Sequence, residues 1–451
     1  MKSRRGKPRS RPATRPSADP IELSVHGTIH DGRGLAHHGG KAVFVSGALE
    51  GETVLAKLVN EQSRFCEART LEVIEPSSQR VAAPCVHFGR CGGCQLQHMA
   101  EQTQHAVKQA GLLDQLRRRA LELPAPLLPP LTGEPWGYRS RARLGVQFDK
   151  TGRVSLGFRQ ARDKVLVDLQ QCPVLAPPLA ALLAPLRAWL QEQVLTPVTH
   201  VDFIQAEALT ALVIRHTQAL PASALKTLTE WSHAQGATVW LQPAKDPMQL
   251  LNLAGEPVDP RLRYRVADGA LSLSFHPSDF TQINPAINRA MIDQALELLA
   301  PQPHEHLLDL FCGIGNFSLP MARLAGRVSG VEAVEAMVAR GRENAAYNGL
   351  GNLSFFACDL TREPMGRLLG RTGQIDTLLL DPPRAGAREI CEQLGGIKSV
   401  GRILYVSCDS ATFVRDTGIL TQQGYRLTQL GTMEMFPQTS HLEIMALFTR
   451  Q

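Results

Sequence analysis

The last third of the chain alternates short apolar runs with segments of helical periodicity. The apolar runs predict buried strands, and the amphipathic segments between most of them predict helices. Such an alternation predicts a doubly wound α/β sheet. The last two runs are joined only by 431–443, too short for a crossover helix, so they predict antiparallel strands. The predicted strands are 307–311, 328–331, 353–356, 377–380, 403–406, 427–430 and 444–448, and the predicted helices are 286–299, 333–348 and 411–423.

The first part of the chain has short apolar runs that are interrupted by glycine. Short strands with glycine-rich turns predict a small barrel, a fold that often but not always binds nucleic acid. The predicted strands are 21–29, 41–45, 52–59 and 66–74, and the glycine-rich turns are 31–36 and 47–52.

The middle of the chain has a mixed pattern. Residues 101–121 predict a helix that ends before the prolines of 124–130. Residues 136–265 predict an α+β region with strands at 142–148, 165–169 and 209–214. We therefore predict a tail over 1–17, a barrel over 18–78, a central α+β domain over 79–265 and a C-terminal α/β domain over 266–451.

The net charge of +6 is concentrated at one end of the chain. Residues 1–17 hold seven lysines and arginines and no acid, which leaves 41 basic and 42 acidic residues elsewhere, a net charge of −1. This proline-containing segment predicts a disordered tail. Nucleic-acid phosphate is its natural partner, although a tail that only improves solubility fits equally well.

The composition predicts a cytoplasmic protein that does not bind a membrane. There is no apolar run of ~18 residues and no apolar segment typical of a signal peptide. Nine cysteines, an odd number, argue against a set of structural disulfides and favour metal-binding or catalytic thiols.

Acidic residues follow successive predicted strands in the C-terminal domain. Asp309 precedes Gly313 and Gly315, whose missing side chains allow a tight turn and a close approach to a ligand. Glu332 ends the next strand, 23 residues later, where a carboxylate accepts hydrogen bonds from ribose hydroxyls. Asp359 and Asp381 end the third and fourth strands. Acids that only cap the following helices would explain each position singly but not the series.

The absence of a third glycine helps to identify the ligand. A dinucleotide-binding motif would have its third glycine at the position of Asn316 and Phe317. The lack of this glycine favours S-adenosylmethionine (AdoMet) over NAD as the ligand. Asp359 is then placed to meet the adenine.

A cysteine and a glutamate are predicted to meet at the same edge of the sheet. Cys408 follows the fifth strand, and Glu443 begins the last one. A cysteine after a strand is usually a packing residue. If the last strand lies beside the fifth, however, Cys408 and Glu443 become neighbours near Asp381. C5 of uracil accepts a methyl group only after a thiolate has added to C6, and a base must then remove the C5 proton. Methylation of an exocyclic nitrogen needs no cysteine.

Several motifs of the chain resemble those of the RNA uridine-C5 methyltransferases. The matching segments are 280–284, 309–317, 381–386, 405–408 and 436–443. The resemblance implies that Cys408 is the nucleophile and Glu443 the base. It also implies the AdoMet contacts Gln282, Phe311, Asn316, Glu332, Asp359 and Asp381, and it allows Asp381 a contact with the uracil. The chain departs from the family at Asp409-Ser410, where Asn-Pro is common, but both residues can cap a helix.

The barrel resembles a TRAM domain, an OB-like RNA-binding module. In combining a TRAM domain with a cysteine cluster, the chain resembles the family members that methylate a uridine of 23S ribosomal RNA. We expect the protein to be a monomer. The alternatives are the same reaction on transfer RNA or another ribosomal uridine, or an RNA-binding ribosome-assembly factor in which methylation is vestigial. Intact Cys408 and Glu443 argue against the last, because binding alone needs neither.

Four cysteines outside the C-terminal domain supply the thiolates of a candidate metal site, although the five residues between Cys85 and Cys91 are an unusual spacing for zinc. Chemistry alone favours zinc, the commonest occupant of four thiolates, and a [4Fe-4S] cluster takes the same ligands. The family resemblance implies the cluster, with zinc as the less favoured occupant. These cysteines are Cys85, Cys91, Cys94 and Cys172.

Overall fold

The computed structural model describes residues 19–161, 163–246 and 249–451, so the tail predicted over 1–17 lies outside the described residues. The chain divides into two compact units. The first extends to Ala83 and includes Gln95–Gly111, and the second contains Pro84–Cys94 and Leu112–Gln451. Most of the predicted central domain and the whole C-terminal domain therefore share the second unit.

The first unit contains a closed six-stranded sheet in the order β1-β5-β6-β4-β3-β2. One chain segment joins its two edges, because the Val25 N–H donates to the Glu52 carbonyl and the His26 N–H to the Leu35 carbonyl. With β1 and β2 taken as one bent strand, this is a five-stranded Greek-key barrel. Its strands are β1 Ile21–Ser24, β2 Gly27–Thr28, β3 Gly34–His38, β4 Lys41–Ser46, β5 Thr53–Glu61 and β6 Phe65–Glu75.

One segment of the barrel differs from the prediction. We predicted a turn over 31–36, but β3 begins at Gly34. Alternate residues of this strand, Gly34 and Ala36, are buried, and a Cβ at Gly34 would lie 2.7 Å from the Val25 side chain. A glycine that looked like a turn signal therefore permits close packing inside the barrel.

The second unit begins with a seven-stranded sheet in the order β13-β12-β11-β10-β9-β7-β8 and a two-stranded hairpin, β14-β15. The predicted strands at 142–148 and 209–214 are confirmed as β7 and β10. The strands are β7 Arg141–Phe148, β8 Val154–Gly157, β9 Val198–Gln205, β10 Thr210–His216, β11 Thr238–Pro243, β12 Leu250–Leu251, β13 Pro257–Val258, β14 Leu262–Val266 and β15 Leu271–Phe275; the helices are α1 Glu101–Arg118, which spans the boundary between the units, α2 Pro177–Ala181, α3 Leu183–Gln193 and α4 Ala222–Gln235.

The strand predicted over 165–169 is wrong. This segment is linked to Arg159 by a single bridge at Leu166 and belongs to a hairpin that folds back over the sheet. The apolar side chains cover glycines of β7 and β8 rather than extending the sheet.

The C-terminal part has the predicted doubly wound sheet, with all seven predicted strands, in the order β18-β17-β16-β19-β20-β22-β21. The final strand, β22, is antiparallel to both β20 and β21, as predicted. The strands are β16 His306–Leu310, β17 Arg327–Glu332, β18 Leu353–Ala357, β19 Thr377–Leu380, β20 Arg402–Ser407, β21 Tyr425–Met433 and β22 Glu443–Arg450; the helices are α5 Pro285–Leu299, α6 Ser318–Ala322, α7 Glu335–Tyr347, α8 Met365–Thr372, α9 Arg388–Cys391 and α10 Ser410–Gln422.

Two observations bear on the composition-based expectations. All nine cysteines are thiols in the structure. Among the described residues, helices with the length and apolar character needed to span a bilayer are absent.

Candidate active site

The insertion of β22 beside β20 brings Cys408 and Glu443 together. The register pairs Ser407 with Ile444, so the residue after β20 lies next to the first residue of β22. Cys408 is half-buried, whereas Glu443 is only 5% exposed. The Asp409 side chain accepts a hydrogen bond from the Thr412 N–H at 2.9 Å and so caps α10. The departure from the family motif therefore keeps the helix cap.

The electrostatics of this edge are dominated by burial. Burial raises the pKa of the Glu443 carboxyl to about 8, the neighbouring Asp381 carboxyl adds to the shift, and the Arg384 guanidinium opposes it. Burial also raises the pKa of Asp381 to about 7. The pKa of the Cys408 thiol is raised to about 11 by burial and by Glu443 and Asp381, again against Arg384. These groups therefore lie close enough for the charge of each carboxyl to affect the protonation of Cys408.

The segment before β22 is a tight turn that fixes Glu443. The Thr439 hydroxyl donates to the Phe436 carbonyl at 2.8 Å, and the buried Tyr138 hydroxyl donates to the Pro437 carbonyl at 2.8 Å. Gln438 is held in the left-handed region, with a φ of +68°. His441 lies 3.4 Å from Arg384 through its Nδ1 atom. The turn before Glu443 thus contacts the loop after β19 and the segment before β7.

The loop after β16 forms a cradle of backbone N–H groups and glycines. Gly313 and Gly315 have positive φ angles of 58° and 97°, and Phe311 has a φ of 65°. The Gly313 N–H donates to one Glu332 oxygen at 3.2 Å, and the Val334 N–H to the other at 3.0 Å. Glu332 is thereby fixed at the end of β17, beside this loop.

Asp309 lies beneath the cradle and is fully buried. One carboxylate oxygen accepts a hydrogen bond from the Ser318 hydroxyl, and the other has no hydrogen-bond partner among the described residues. Burial raises the pKa of this carboxyl to about 8, Ser318 opposes the shift, and Asp381 and Glu332 add to it.

Asn316 is held by Asn288 and Tyr264, which are not among the predicted site residues. Its side-chain amide pairs reciprocally with Asn288 at 3.0 and 2.8 Å, and its oxygen also accepts from the Tyr264 hydroxyl at 3.0 Å. Gln282 lines a cavity of about 580 Å³ together with Asn288 and Tyr264. The only sequence signal for Asn288 is a polar residue on the buried face of a predicted helix.

Asp359 lies on a more exposed loop than the other acids. Its side chain accepts from the N–H and hydroxyl of Thr361 at 3.0 and 2.6 Å, which lower the pKa of the carboxyl. The side chain is about half exposed, and Arg362 approaches it at 3.3 Å.

The four candidate metal-ligating cysteines lie in the second unit. Cys85, Cys91 and Cys172 are close enough to perturb one another electrostatically. Burial raises the pKa of Cys172 to about 11, whereas N–H groups of Leu175 and Val174 directed at its sulfur oppose the shift. The Gly93 N–H lies 3.4 Å from the Cys91 sulfur. Within the described part of the chain, no three His, Cys, Asp or Glu side chains are arranged to hold a metal ion.

Comparisons with known proteins find relatives that match most of the chain. The family model of the tRNA (uracil-5-)-methyltransferases matches residues 113–451. A curated relative from Alkalilimnicola ehrlichii, 23S rRNA (uracil(1939)-C(5))-methyltransferase RlmD, is 43% identical over 96% of this chain and 97% of its own length. The relative of the same name from Methylococcus capsulatus is 42% identical over 96% of this chain and 98% of its own.

A solved structure shares the fold over nearly the whole chain. The crystal structure of the Pyrococcus abyssi tRNA (uracil-54, C5)-methyltransferase in complex with S-adenosyl-L-homocysteine superposes with a TM-score of 0.74. It is 21% identical and covers 95% of this chain and 99% of its own.

Proposed function

The chain belongs to the tRNA (uracil-5-)-methyltransferase family, and from that premise we propose that it methylates C5 of a uridine in 23S ribosomal RNA with AdoMet as the methyl donor. The observation that carries the proposal is the pairing of Cys408 with Glu443 at the edge of the sheet where Asp381 also lies. A thiol and a buried carboxyl at one site are the two groups that C5 methylation requires.

Cys408 serves as the nucleophile in this proposal. Its sulfur forms a bond to C6 of the uracil, and the electrons of the C5–C6 double bond move toward C5 and the O4 carbonyl. The thiol must lose its proton in this step, and the Arg384 guanidinium favours the thiolate while the carboxylates oppose it. AdoMet, when bound, would supply an electrophilic methyl group to C5 and leave as S-adenosylhomocysteine.

Glu443 completes the reaction as the general base. Its carboxylate takes the C5 proton, the C5–C6 double bond re-forms, and the C6–S bond breaks so that Cys408 leaves as a thiolate. Because burial raises the pKa of Glu443 to about 8, this carboxyl is a stronger base than an exposed glutamate.

The proposed AdoMet site is the edge formed by the loops after β16, β17, β18 and β19. The glycine cradle leaves room for a ligand to approach the backbone, and Glu332 is fixed there to meet ribose hydroxyls. We assign the remaining contacts to Gln282, Phe311, Asn316, Asp359 and Asp381, with Asp381 also within reach of the uracil.

We propose that the barrel is a TRAM-type RNA-binding module. Its support is the Greek-key strand order of an OB-like barrel, a fold that binds single-stranded nucleic acids. The proposed functional boundaries remain 18–78, 79–265 and 266–451, and we propose that the protein works in the cytoplasm as a monomer.

We propose that Cys85, Cys91, Cys94 and Cys172 hold a [4Fe-4S] cluster. The proposal is supported by the chemistry of the donor set, since it provides four thiols and backbone N–H groups directed at two of the sulfurs. The cluster would supply structural cross-linking, because the methylation needs no redox step. Aerobically purified protein should be brown, Cys91→Ser should remove the colour, and Cys66→Ser should not. Stoichiometric zinc without iron would overturn this assignment.

The substrate is tested by methylation of unmodified RNA in vitro. We expect the purified protein to form 5-methyluridine in 23S ribosomal RNA fragments and not in transfer RNA, as measured by nucleoside analysis and mass mapping. Transfer RNA is the second candidate, because the family model carries that name. An N-methylated product, or normal RNA binding with no methylation of any RNA, would refute the proposal.

The order of steps is tested by two variants. Cys408→Ala should abolish methylation and the covalent adduct while AdoMet and RNA still bind. Glu443→Gln should add to C6 and methylate but release slowly, so that a methylated protein–RNA complex accumulates on a denaturing gel. RNA with 5-fluorouridine at the target should trap the wild-type protein, because fluorine cannot leave as a proton does. Substantial turnover by Cys408→Ala would exclude this mechanism.

A further inference from the structure

The central sheet carries a second cavity, of about 520 Å³, outside the proposed catalytic and AdoMet residues. Its walls come from β7, β8 and β9 and from the hairpin whose described residues are 158–161 and 163–167. We call this cavity the basic groove. The lining residues that matter here are Arg143, Gly145, Phe158, Arg159, Lys164 and His200.

Two paired glycines allow the hairpin to form a wall of the groove. Gly145 of β7 lies opposite Gly157 of β8. A Cβ at Gly145 would lie 2.8 Å from the Leu166 side chain, and one at Gly157 would lie 2.1 Å from the Val167 carbonyl oxygen. The hairpin therefore lies directly on the sheet because these two positions lack side chains.

The hairpin is also held at its outer side by the cysteine-containing loop. The Gly92 N–H donates to the Arg159 carbonyl at 2.9 Å, and the Ala161 N–H donates to the Arg90 carbonyl at 3.2 Å. Within the hairpin, the Gln160 N–H donates to the Val165 carbonyl at 2.8 Å. These backbone bonds fix the position of Arg159 at the rim.

The charges around the groove are of one sign. Three cationic residues, Arg143, Arg159 and Lys164, line it together with His200, and none of its lining residues within the described chain is acidic. Neither Arg159 nor Lys164 has a carboxylate partner among the described residues, and both are exposed. Arg143 shares the buried Asp202 with Arg215, at 2.5 and 2.8 Å, so that two guanidiniums face one carboxylate.

The nearby arginines also affect the pKa of His200. Burial lowers the pKa of its imidazole, and Arg143, Arg215 and Arg159 lower it further. Asp202, which pairs with Arg143 and Arg215, opposes this shift, but no acidic residue of the described chain lines the groove itself. A surface with unpaired cations is the condition under which a polyanion binds with release of counterions.

The groove also offers an aromatic surface. The half-buried Phe158 ring lines it, and the Arg139 guanidinium lies 5.8 Å from the ring centroid. Cations that follow a backbone, combined with a ring on which a base stacks, are typical of sites for single-stranded nucleic acid.

One face of β7 connects the groove with the proposed catalytic region. Arg141, Arg143 and Gly145 point to the same side of the strand, and successive members are about 7 Å apart. Arg141 donates to the carbonyls of Pro277 and Asp279, in the segment that leads to Gln282. An RNA strand that leaves the target site along this face would enter the groove.

We propose that the basic groove binds the phosphodiester backbone of the substrate RNA on nucleotides that flank the target uridine. This inference rests on the proposed function and adds a binding surface to it. Arg159 and Lys164 contact phosphates, Arg143 supplies positive charge at the floor beside His200, and Phe158 stacks on an unpaired base.

The test is the salt dependence of RNA binding by an Arg159→Gln/Lys164→Gln variant of the full chain. Loss of two phosphate contacts should reduce the slope of log K against log salt by about 1.4 for a single strand, and weaken binding at 0.1 M salt roughly 10- to 30-fold. The Kd for AdoMet, the melting temperature and the turnover at saturating RNA should stay unchanged, because neither side chain belongs to the proposed active site.

A control variant removes the same charge elsewhere in the second unit. Lys226 and Lys398 are exposed, so Lys226→Gln/Lys398→Gln should bind RNA nearly as the wild type does. A substrate shortened to the nucleotides immediately around the target should bind the groove variant and the wild type equally. A groove that instead bound a protein partner would leave the affinity and slope for pure RNA unchanged in the groove variant.

The outcomes separate this inference from the proposed function. If the wild type forms 5-methyluridine and the groove variant keeps the wild-type affinity and slope, the groove inference is wrong. An equal loss in the Lys226/Lys398 control would overturn it too, because the effect would then be one of net charge. If the wild type binds RNA without methylating uridine and only the groove variant loses affinity, the groove stands and the proposed function fails.

Discussion

At the scale of single residues, the proposed active-site edge carries carboxyls whose pKa values are raised by burial. Asp309 lies near the end of β16, Asp381 follows β19 and Glu443 begins β22, and burial raises the pKa of each to between about 7 and 8. A carboxylate in such a site loses its hydration without gaining a full counter-charge. The burial of these carboxyls therefore lowers the free energy of unfolding at neutral pH.

The pH dependence of stability should reveal this cost. Because the folded-state pKa of Asp381 is above that of the unfolded chain, its contribution to stability is fully present below about pH 4 and is lost as the pH rises through about 7. Asp381→Asn should therefore gain stability relative to the wild type between pH 4 and 8, on the order of 2 kcal/mol. Denaturant unfolding at each pH measures the difference.

Asp359→Asn is the matched control. The pKa of Asp359 is lowered by Thr361, so its stabilising contribution is present at neutral pH and lost on acidification. Its substitution should show the opposite trend with pH. A difference between Asp381→Asn and wild type that does not change with pH would contradict the buried-carboxyl interpretation.

The release step should show the same carboxyl chemistry. Only the ionised form of Glu443 accepts the C5 proton, so the decay rate of the methylated adduct should rise with pH to a plateau, with a midpoint near 8. Asp381→Asn should move this midpoint to lower pH, because the Asp381 carboxyl contributes to the raised pKa. Single-turnover decay measured on denaturing gels gives the profile, and an identical midpoint in both proteins would refute the coupling.

At the scale of elements, the site depends on how strands pass into helices. The loop after β16 turns through residues with positive φ before α6 begins, and α10 begins at an aspartate cap. These junctions place backbone N–H groups, rather than long side chains, at the ligand edge.

Gly315→Ala should disrupt the cradle. A Cβ there would lie 2.3 Å from the Leu319 side chain and 2.9 Å from the Phe355 ring, at a φ of +97°. We expect at least a tenfold loss in AdoMet affinity, measured by calorimetry, and a loss of stability of about 1–3 kcal/mol. Gly349→Ala is the control, since its φ is +69° but its Cβ would meet open space. It should cost only about 1 kcal/mol and leave AdoMet binding intact.

Asp409→Ala should remove the cap of α10. Its carboxylate accepts from both the N–H and the hydroxyl of Thr412, at 2.9 and 3.1 Å. We expect a loss of about 1 kcal/mol in the free energy of unfolding, whereas Asp409→Asn should be nearly neutral. A neutral Asp409→Ala would mean that tertiary packing alone fixes the start of the helix.

At the scale of the whole molecule, positive charge is placed apart from the catalytic chemistry. The chain without residues 1–17 has a net charge of −1, yet the central sheet concentrates cations in the basic groove. Local concentration of charge, rather than net charge, determines where a polyanion binds.

Removal of residues 1–17 should therefore affect RNA affinity without affecting the fold. The truncated chain loses seven positive charges, so its RNA binding should weaken most at low salt and its salt slope should decrease. The melting temperature and the AdoMet affinity should match those of the full chain. Unchanged RNA binding at 50 mM salt would show that the tail serves solubility only.

The sequence by itself determined the C-terminal sheet and most of its functional edge. Parallel strands place their carboxyl ends together, so the positions of Glu332, Asp359, Asp381 and Cys408 after successive apolar runs were sufficient to predict one shared edge. The short connection before Glu443 also predicted an antiparallel final strand, and the structure has it beside β20.

Only the tertiary structure decided the contacts between segments that are far apart in the chain. The hydrophobic periodicity does not predict that Asn316 pairs with Asn288 and Tyr264. It also does not predict that Arg141 donates to the segment before Gln282. The raised pKa of Glu443 likewise depends on how deeply β22 is buried. Apolar alternation records which side of an element faces the core, whereas polar contacts and burial depend on which elements pack together, and packing is decided by the whole fold.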